Sequence, residues 1–326
     1  MLVDKYGRPL TTLRISITNK CNYNCVFCHR EGEENTPDAL TADDIELVSR
    51  AAYSLAVKNF KLTGGEPLIR PDVAEIVSRL KEIGKDVEVS MTSNGFFLEE
   101  YAEKLAEADL DRINVSFHGI STEKYLKMTN VNGKDKVLRG LLAIKEYGIP
   151  VKLNYVLTSL NADELTSILD FASSMGFNVN VIELIPTGRG RQVFDRLYLP
   201  VEKILPILTE KATRIERRDL HNRPVFVLPS GIKVEVIANY CNPSFCMECT
   251  RIRLTHDAKL KPCLNTNDNN VDIYKILKNP TLKEQEKIEK LKDAIRETNL
   301  KREPFFKLVN GKCIMRDIVL GTPRTI

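Results

Sequence analysis

Strand and helix patterns that alternate along the first half, strands that alternate apolar and polar residues, and connections long enough for helices predict an α/β fold. The expected architecture is an incomplete (β/α)6 TIM-like barrel with a C-terminal extension. Candidate strands span 13–18, 60–63, 87–93, 113–117, 151–157 and 179–184. Candidate helices span 41–56, 72–83, 98–108, 134–147 and 162–175. Thr41 precedes Asp43 and Asp44 as an N-cap signal, and Gly84, Gly148 and Gly176 follow helix ends. Parallel strands need crossovers of this length. Six such units leave a barrel open rather than closing it eightfold.

Alternation within the strands says what the barrel encloses. Leu13, Ile15 and Ile17 share one face, and Arg14, Ser16 and Thr18 the other. The same reading sets Phe60 and Leu62 against Lys61 and Thr63. It sets Val89 and Met91 against Ser90 and Thr92, and Val151 and Leu153 against Lys152 and Asn154. The apolar faces belong under the helices, so the polar faces line a shared interior. That interior carries Arg14, Lys61 and Lys152, with Glu88 as its main acid, and suits a large polar anion. An antiparallel sheet with one solvated face would also alternate.

After about residue 186 the pattern changes at Pro186, Gly188 and Gly190, which divides the chain into 1–190 and 191–326. The extension offers a helix at 201–213, a hairpin of 225–228 and 232–237 around Pro229-Ser230-Gly231, a short helix near 271–277 and an amphipathic helix at 282–298. In the last, Ile288, Leu291 and Ile295 form a packing stripe.

With 326 residues, 43% hydrophobic and 28% charged, the composition is that of an ordinary globular chain. A net charge of +4 does not suggest a nucleic-acid binder. No apolar stretch is long enough to span a bilayer, and MLVDKYGRPL has no secretory h-region, so a cytoplasmic chain with reduced thiols is expected.

Two cysteine triplets carry the chemistry. Cys21, Cys25 and Cys28 form CxxxCxxC on the loop after the first strand; Cys246, Cys249 and Cys263 form a second set. Three thiolates can hold a four-iron, four-sulfur cube and leave one iron open. Zinc competes, but structural zinc takes four closed ligands. Cys241 and Cys313 stand apart as small buried residues or as a fourth ligand for the second set. Thr63-Gly64-Gly65-Glu66-Pro67 follows the second strand, where barrel ligands bind and where glycines let the backbone come close.

CxxxCxxC with Phe27 before its last cysteine, and GGEP after the second strand, resemble the radical S-adenosylmethionine superfamily. Within it, Phe245-Cys246-Met247-Glu248-Cys249-Thr250-Arg251-Ile252-Arg253, then Lys261-Pro262-Cys263, resemble the GTP 3′,8-cyclase family of molybdenum cofactor biosynthesis. Leu13-Arg14-Ile15-Ser16 fits too. The resemblance implies two [4Fe-4S] clusters with three cysteines each. The first cleaves S-adenosylmethionine, and the second presents its open iron to the guanine of GTP. It implies S-adenosylmethionine contacts at Phe27, Gly65, Ser116 and Ile185, and GTP contacts at Arg14, Lys61, Thr92, Lys152, Arg251 and Arg253. A reductant protein is implied, as is a monomer or homodimer. Related two-cluster enzymes act on a peptide or tetrapyrrole, and a non-catalytic electron carrier is a further alternative. The chain departs from the family where Asp257-Ala258 replaces Asp-Gly, and where Gly321-Thr322-Pro323-Arg324-Thr325-Ile326 replaces a Gly-Gly end.

Overall fold

A computed structural model describes residues 1–218, 220–315 and the backbone of 318–321. Six strands follow one another in register order: β1 (Thr12–Ser16), β2 (Asn59–Thr63), β3 (Glu88–Ser93), β4 (Arg112–Ser116), β5 (Val151–Leu157) and β6 (Asn178–Glu183). All five pairings among them are parallel, which removes the antiparallel alternative. The crossovers are α1 (Ala42–Tyr53), α2 (Val73–Glu82), α3 (Leu98–Glu107), α4 (Thr122–Thr129) with α5 (Lys134–Glu146), and α6 (Leu165–Met175). Helix α4 is an addition to the expected elements. Thr41 caps α1 in a capping box with Asp44.

The strands bury their apolar rows under these helices. Leu13, Ile15, Phe60, Leu62, Val89, Met91, Ile113 and Leu153 are inaccessible, as are Ile45, Val48, Leu80, Leu105 and Leu141 of the helices above them. Burial at that scale is the main stabilising term of the fold. The polar rows are left facing inward.

The extension adds α7 (Gly190–Leu197), α8 (Leu205–Lys211), β7 (Arg214–Arg218), β8 (Arg223–Val227), β9 (Lys233–Ile237), α9 (Pro243–Met247), β10 (Arg251–Leu254), β11 (Lys259–Lys261) and β12 (Val271–Asp272). Then come α10 (Tyr274–Leu277), α11 (Glu284–Leu300), β13 (Phe306–Val309), β14 (Lys312–Met315) and β15 (Ile318–Gly321). The expected hairpin is β8–β9, and β9 joins β6 in parallel. On the other side β10 joins β1 in parallel. The result is a 12-stranded sheet whose edges are β12 and β7. Its flanks curl toward each other until the His221 N–H, on the turn after β7, donates to the Glu248 carbonyl before β10 at 3.3 Å. Strands β13–β15 form a separate antiparallel sheet that sequence periodicity missed. The stripe on α11 is internal: Leu291 and Ile295 are inaccessible and the helix packs on α1. Ala258 takes φ +63° while fully buried, so alanine accepts a turn that favours glycine. Among the described residues no helix is long and apolar enough to cross a membrane.

Candidate active site between two cysteine loops

The first triplet sits on the loop leaving β1, and glycine-close contacts fix that loop. A Cβ on Gly65 would lie 2.1 Å from the Lys20 carbonyl oxygen, and one on Gly64, whose φ is +144°, would lie 2.3 Å from the Thr18 carbonyl oxygen. GGEP therefore rests directly on the backbone that carries Cys21. Glu66 completes the junction. Its carboxylate accepts from the Ser93 hydroxyl at 2.7 Å and from the N–H groups of Asn94 and Leu68 at 2.6 and 3.1 Å, tying the ends of β2 and β3 together. Burial pushes its pKa up to about 7. Beyond β6 the Arg189 N–H donates to the Cys28 carbonyl at 2.9 Å, and Gly190 lies against the carbonyls of Ile185 and Phe27. Gly65, Ser116, Ile185 and Phe27 thus share the C-terminal mouth of the sheet. The Phe27 ring meets His118 edge-on at 4.4 Å. Because backbone atoms cannot yield, Gly65→Ala is expected to displace the first loop. Iron content should fall from about eight to about four atoms per chain, the loss of one four-iron cube; unchanged iron would refute this role for the glycine.

The second triplet is clamped from behind. Arg8 donates to the Cys246 carbonyl at 2.8 Å, and the almost inaccessible Arg302 reaches the Cys249 carbonyl as well as the Arg8 carbonyl at 3.2 Å. Asp4 holds Arg8 at 2.8 Å and Arg302 at 3.5 Å. Sequence reading missed this clamp; no spacing connects residues 4, 8 and 302. Cys241 and Cys313 are free thiols that share a hydrogen bond and pack with Phe306 beside Cys246.

Between the loops lies the polar interior. In register, Arg14 stands beside both Lys61 and Arg253, and Thr92 and Lys152 flank Asn114. Arg251 stands beside Thr12 on the same row parity as Arg253. All six expected residues therefore fall on the inward rows. The acids are not the expected ones. Glu88 opens β3 at its N-terminal end and ion-pairs with Arg112 at the rim, both more than a third exposed. The carboxylates that pair with the cations of the interior are, among the described residues, Glu31 and Glu235. Glu31 accepts from Arg14 at 2.5 Å, from Thr63 at 3.0 Å and from Arg253. Burial alone would raise its pKa, but Arg14 and Arg253 hold it well below the carboxylate range. Glu235 serves Lys152, Arg218 at 2.8 Å and Arg223 at 3.3 Å. Its pKa is drawn down to about 2 by these cations against the opposing effect of burial. Glu183 bonds instead to the Tyr198 hydroxyl at 2.8 Å and the Tyr240 N–H at 2.9 Å. Among the described residues the side chains of Lys61 and Arg251 have neither hydrogen bond nor ion pair, and the Thr92 hydroxyl and Arg251 Nε are buried without a partner. Burial first, then the charges of Arg14 and Arg251, pulls the Lys61 pKa well below its usual value. The interior is a cationic chamber with spare donors.

Residues 15–172 match the Radical SAM superfamily, and residues 177–308 match the family Molybdenum Cofactor Synthesis C. A probable GTP 3′,8-cyclase of Metallosphaera sedula is 41% identical over 309 residues, covering 94% of this chain and 97% of that one. A probable GTP 3′,8-cyclase of Sulfolobus acidocaldarius is 44% identical over 306 residues, covering 93% and 96%. The chain belongs to the GTP 3′,8-cyclase family. Among solved structures, Streptococcus suis SuiB bound to S-adenosylmethionine matches with a TM-score of 0.63 at 16% identity, covering 89% of this chain and 68% of that one. Native anSMEcpe with bound AdoMet matches with a TM-score of 0.52 at 16% identity, covering 87% and 82%. At such identity the likeness concerns the fold.

The donor sets fit the iron–sulfur clusters of the family. Each set offers three thiols, and in the first the N–H groups of Tyr23 and Arg30 point at the sulfurs of Cys21 and Cys28 at 3.4 Å, as they do toward cluster-bound thiolates. Burial pushes the Cys25, Cys28 and Cys263 thiols up, and Cys246 to about 12; metal ligation would offset that by deprotonating them. His29 is occupied elsewhere, since its Nδ1 accepts from the Glu31 N–H at 2.9 Å.

Proposed function

We infer that this chain is a radical S-adenosylmethionine GTP 3′,8-cyclase. It converts GTP to (8S)-3′,8-cyclo-7,8-dihydroguanosine 5′-triphosphate, the first step of molybdenum cofactor biosynthesis. The observation that carries the reading is the chamber between the two cysteine loops, in which the half-buried Lys61 and Arg251 side chains have no carboxylate partner among the described residues. A triphosphate supplies the missing charge, and forked guanidinium donors suit its oxygens.

Cys21, Cys25 and Cys28 would hold the first cluster, and Cys246, Cys249 and Cys263 the second. When bound and reduced, the first cluster would supply the electron for reductive cleavage of S-adenosylmethionine, and with it the hydrogen-abstracting chemistry that the reaction needs at the ribose 3′ position. The chain's own work is to place substrates and exclude water. Phe27, Gly65, Ser116 and Ile185 line the mouth where S-adenosylmethionine lies. Arg14, Lys61, Thr92, Lys152, Arg251 and Arg253 hold GTP below it. Glu31 anchors Arg14 and Arg253 at one geometry, so the strand nearest each cysteine loop presents its guanidinium to the same ligand. The chemistry calls for a cytoplasmic setting and a low-potential reductant protein.

Reduced, cluster-reconstituted protein given GTP and S-adenosylmethionine should yield 5′-deoxyadenosine and a cyclised nucleotide together. Deoxyadenosine without any GTP-dependent product would overturn the reading in favour of another two-cluster reaction.

A further inference from the structure

His221 lies on the turn joining β7 to β8 and is 5% exposed. Its φ is +62°, left-handed backbone that is uncommon for a non-glycine residue. Its ring stacks on Phe245, the residue before Cys246, at 3.8 Å between centroids and 25° between planes. Together with the bond from its own N–H to the Glu248 carbonyl at 3.3 Å, this pins it to the second cysteine loop.

The ring's tautomer follows from its partner. Nδ1 lies 2.6 Å from Nη2 of Arg223. A guanidinium can only donate, so Nδ1 accepts and the ring proton sits on Nε2. Burial and the nearby guanidiniums hold the imidazole well below its usual pKa, which keeps it neutral. Nε2–H is therefore a donor, and among the described residues it is buried without a partner. The strongest electrostatic influences on the ring come from Arg251, Arg223, Arg218 and Arg253, none of which can accept. The Nε atoms of Arg223 and Arg251 are buried and unpartnered as well. A buried donor left unmade is costly, and this one is held in place by a strained turn.

We propose that His221 Nε2–H is a further substrate contact, donating to a phosphate oxygen of the nucleoside triphosphate in the chamber, with Arg223 fixing the tautomer. This rests on the reading of the chamber as the GTP site. An anion is the acceptor that suits a position with these guanidiniums around it.

The test is equilibrium binding of GTP, tripolyphosphate, guanosine and S-adenosylmethionine to cluster-loaded protein. His221→Phe keeps the stack on Phe245 and removes the donor. His221→Gln keeps an N–H at similar reach. The Phe variant should bind GTP and tripolyphosphate about ten- to hundredfold more weakly, the range of a hydrogen bond to a charged group. Guanosine and S-adenosylmethionine affinities should stay unchanged, and Gln should restore most of the loss. Unchanged tripolyphosphate affinity in the Phe variant overturns the proposal, as does weakening confined to guanosine, which would assign the donor to the base. Wild-type protein that binds tripolyphosphate but not GTP would sink the GTP reading alone, because the phosphate contact is still read from the tripolyphosphate arm. A second measurement needs no variant: the Nε2–H resonance of labelled His221 in the wild type should shift on adding tripolyphosphate and not on adding guanosine. A resonance indifferent to tripolyphosphate overturns the contact.

Discussion

Lys61→Met should make the protein more stable and a much poorer enzyme. Lys61 stands between Arg14 and Ser90 in register, half-buried, with no acidic partner among the described residues. Keeping a charge there costs desolvation and repulsion from Arg14 and Arg251, which is why its pKa falls well below the usual value. Methionine fills a similar volume without either cost. We expect a gain of about 1–3 kcal/mol, seen as a Tm rise of about 2–6 °C. Loss of a triphosphate ligand should cut kcat/KM for GTP about a hundredfold. The pH dependence has a definite sign. Between the folded pKa of Lys61 and its ordinary value near 10.5, the unfolded chain binds more protons than the folded one, so stability rises with pH. The variant should lack that rise. Within that pH window GTP should restore the ammonium, so binding there takes up a proton, measurable by titration calorimetry in two buffers of different ionisation enthalpy. A variant of unchanged Tm, or no proton uptake in the wild type, would refute the assignment of Lys61 as an uncompensated ligand.

The inward rows were legible because parallel strands with helices on one side leave only one place for Arg14, Lys61 and Lys152 to point. What could not be read was what neutralises them. Glu31 follows Cys28 on a turn with φ +50°, and nothing in REG marks its carboxylate as facing β10, more than two hundred residues away. Glu235 reaches the interior only because β9 joins β6, a pairing across the join between barrel and extension. Glu88, on a predicted strand of the right parity, looked better than either. Parity gives a face but not a depth, and Glu88 lies at the shallow end. His221 carried no pattern at all. Its significance is a tautomer set by Arg223 and a stack set by Phe245, both consequences of the curl of the sheet.

Glu31→Gln should produce the opposite stability change and expose how the chamber is balanced. The glutamate is the shared counter-ion of Arg14 and Arg253, 4% exposed, with Thr63 donating to the same oxygen as Arg14. Glutamine keeps the shape but leaves two guanidiniums facing each other across β1 and β10. Removing one member of a buried ionic cluster costs about 3–5 kcal/mol, because the remaining charges stay desolvated. The ligand-free variant should therefore melt well below the wild type. GTP should recover more of that loss than it adds to the wild type, since its triphosphate replaces the missing negative charge. The acid side supplies a separate check. A carboxylate whose folded pKa is depressed contributes stability that is fully present above its unfolded value, about 4.3, and is lost as pH falls through the folded one. Wild-type stability should thus fall on acidification below about pH 4.5, and the variant should show a shallower fall there. Equal melting of the two ligand-free proteins at pH 7, or an equal gain from GTP, would mean that Glu31 does not hold Arg14 and Arg253 in readiness for the nucleotide.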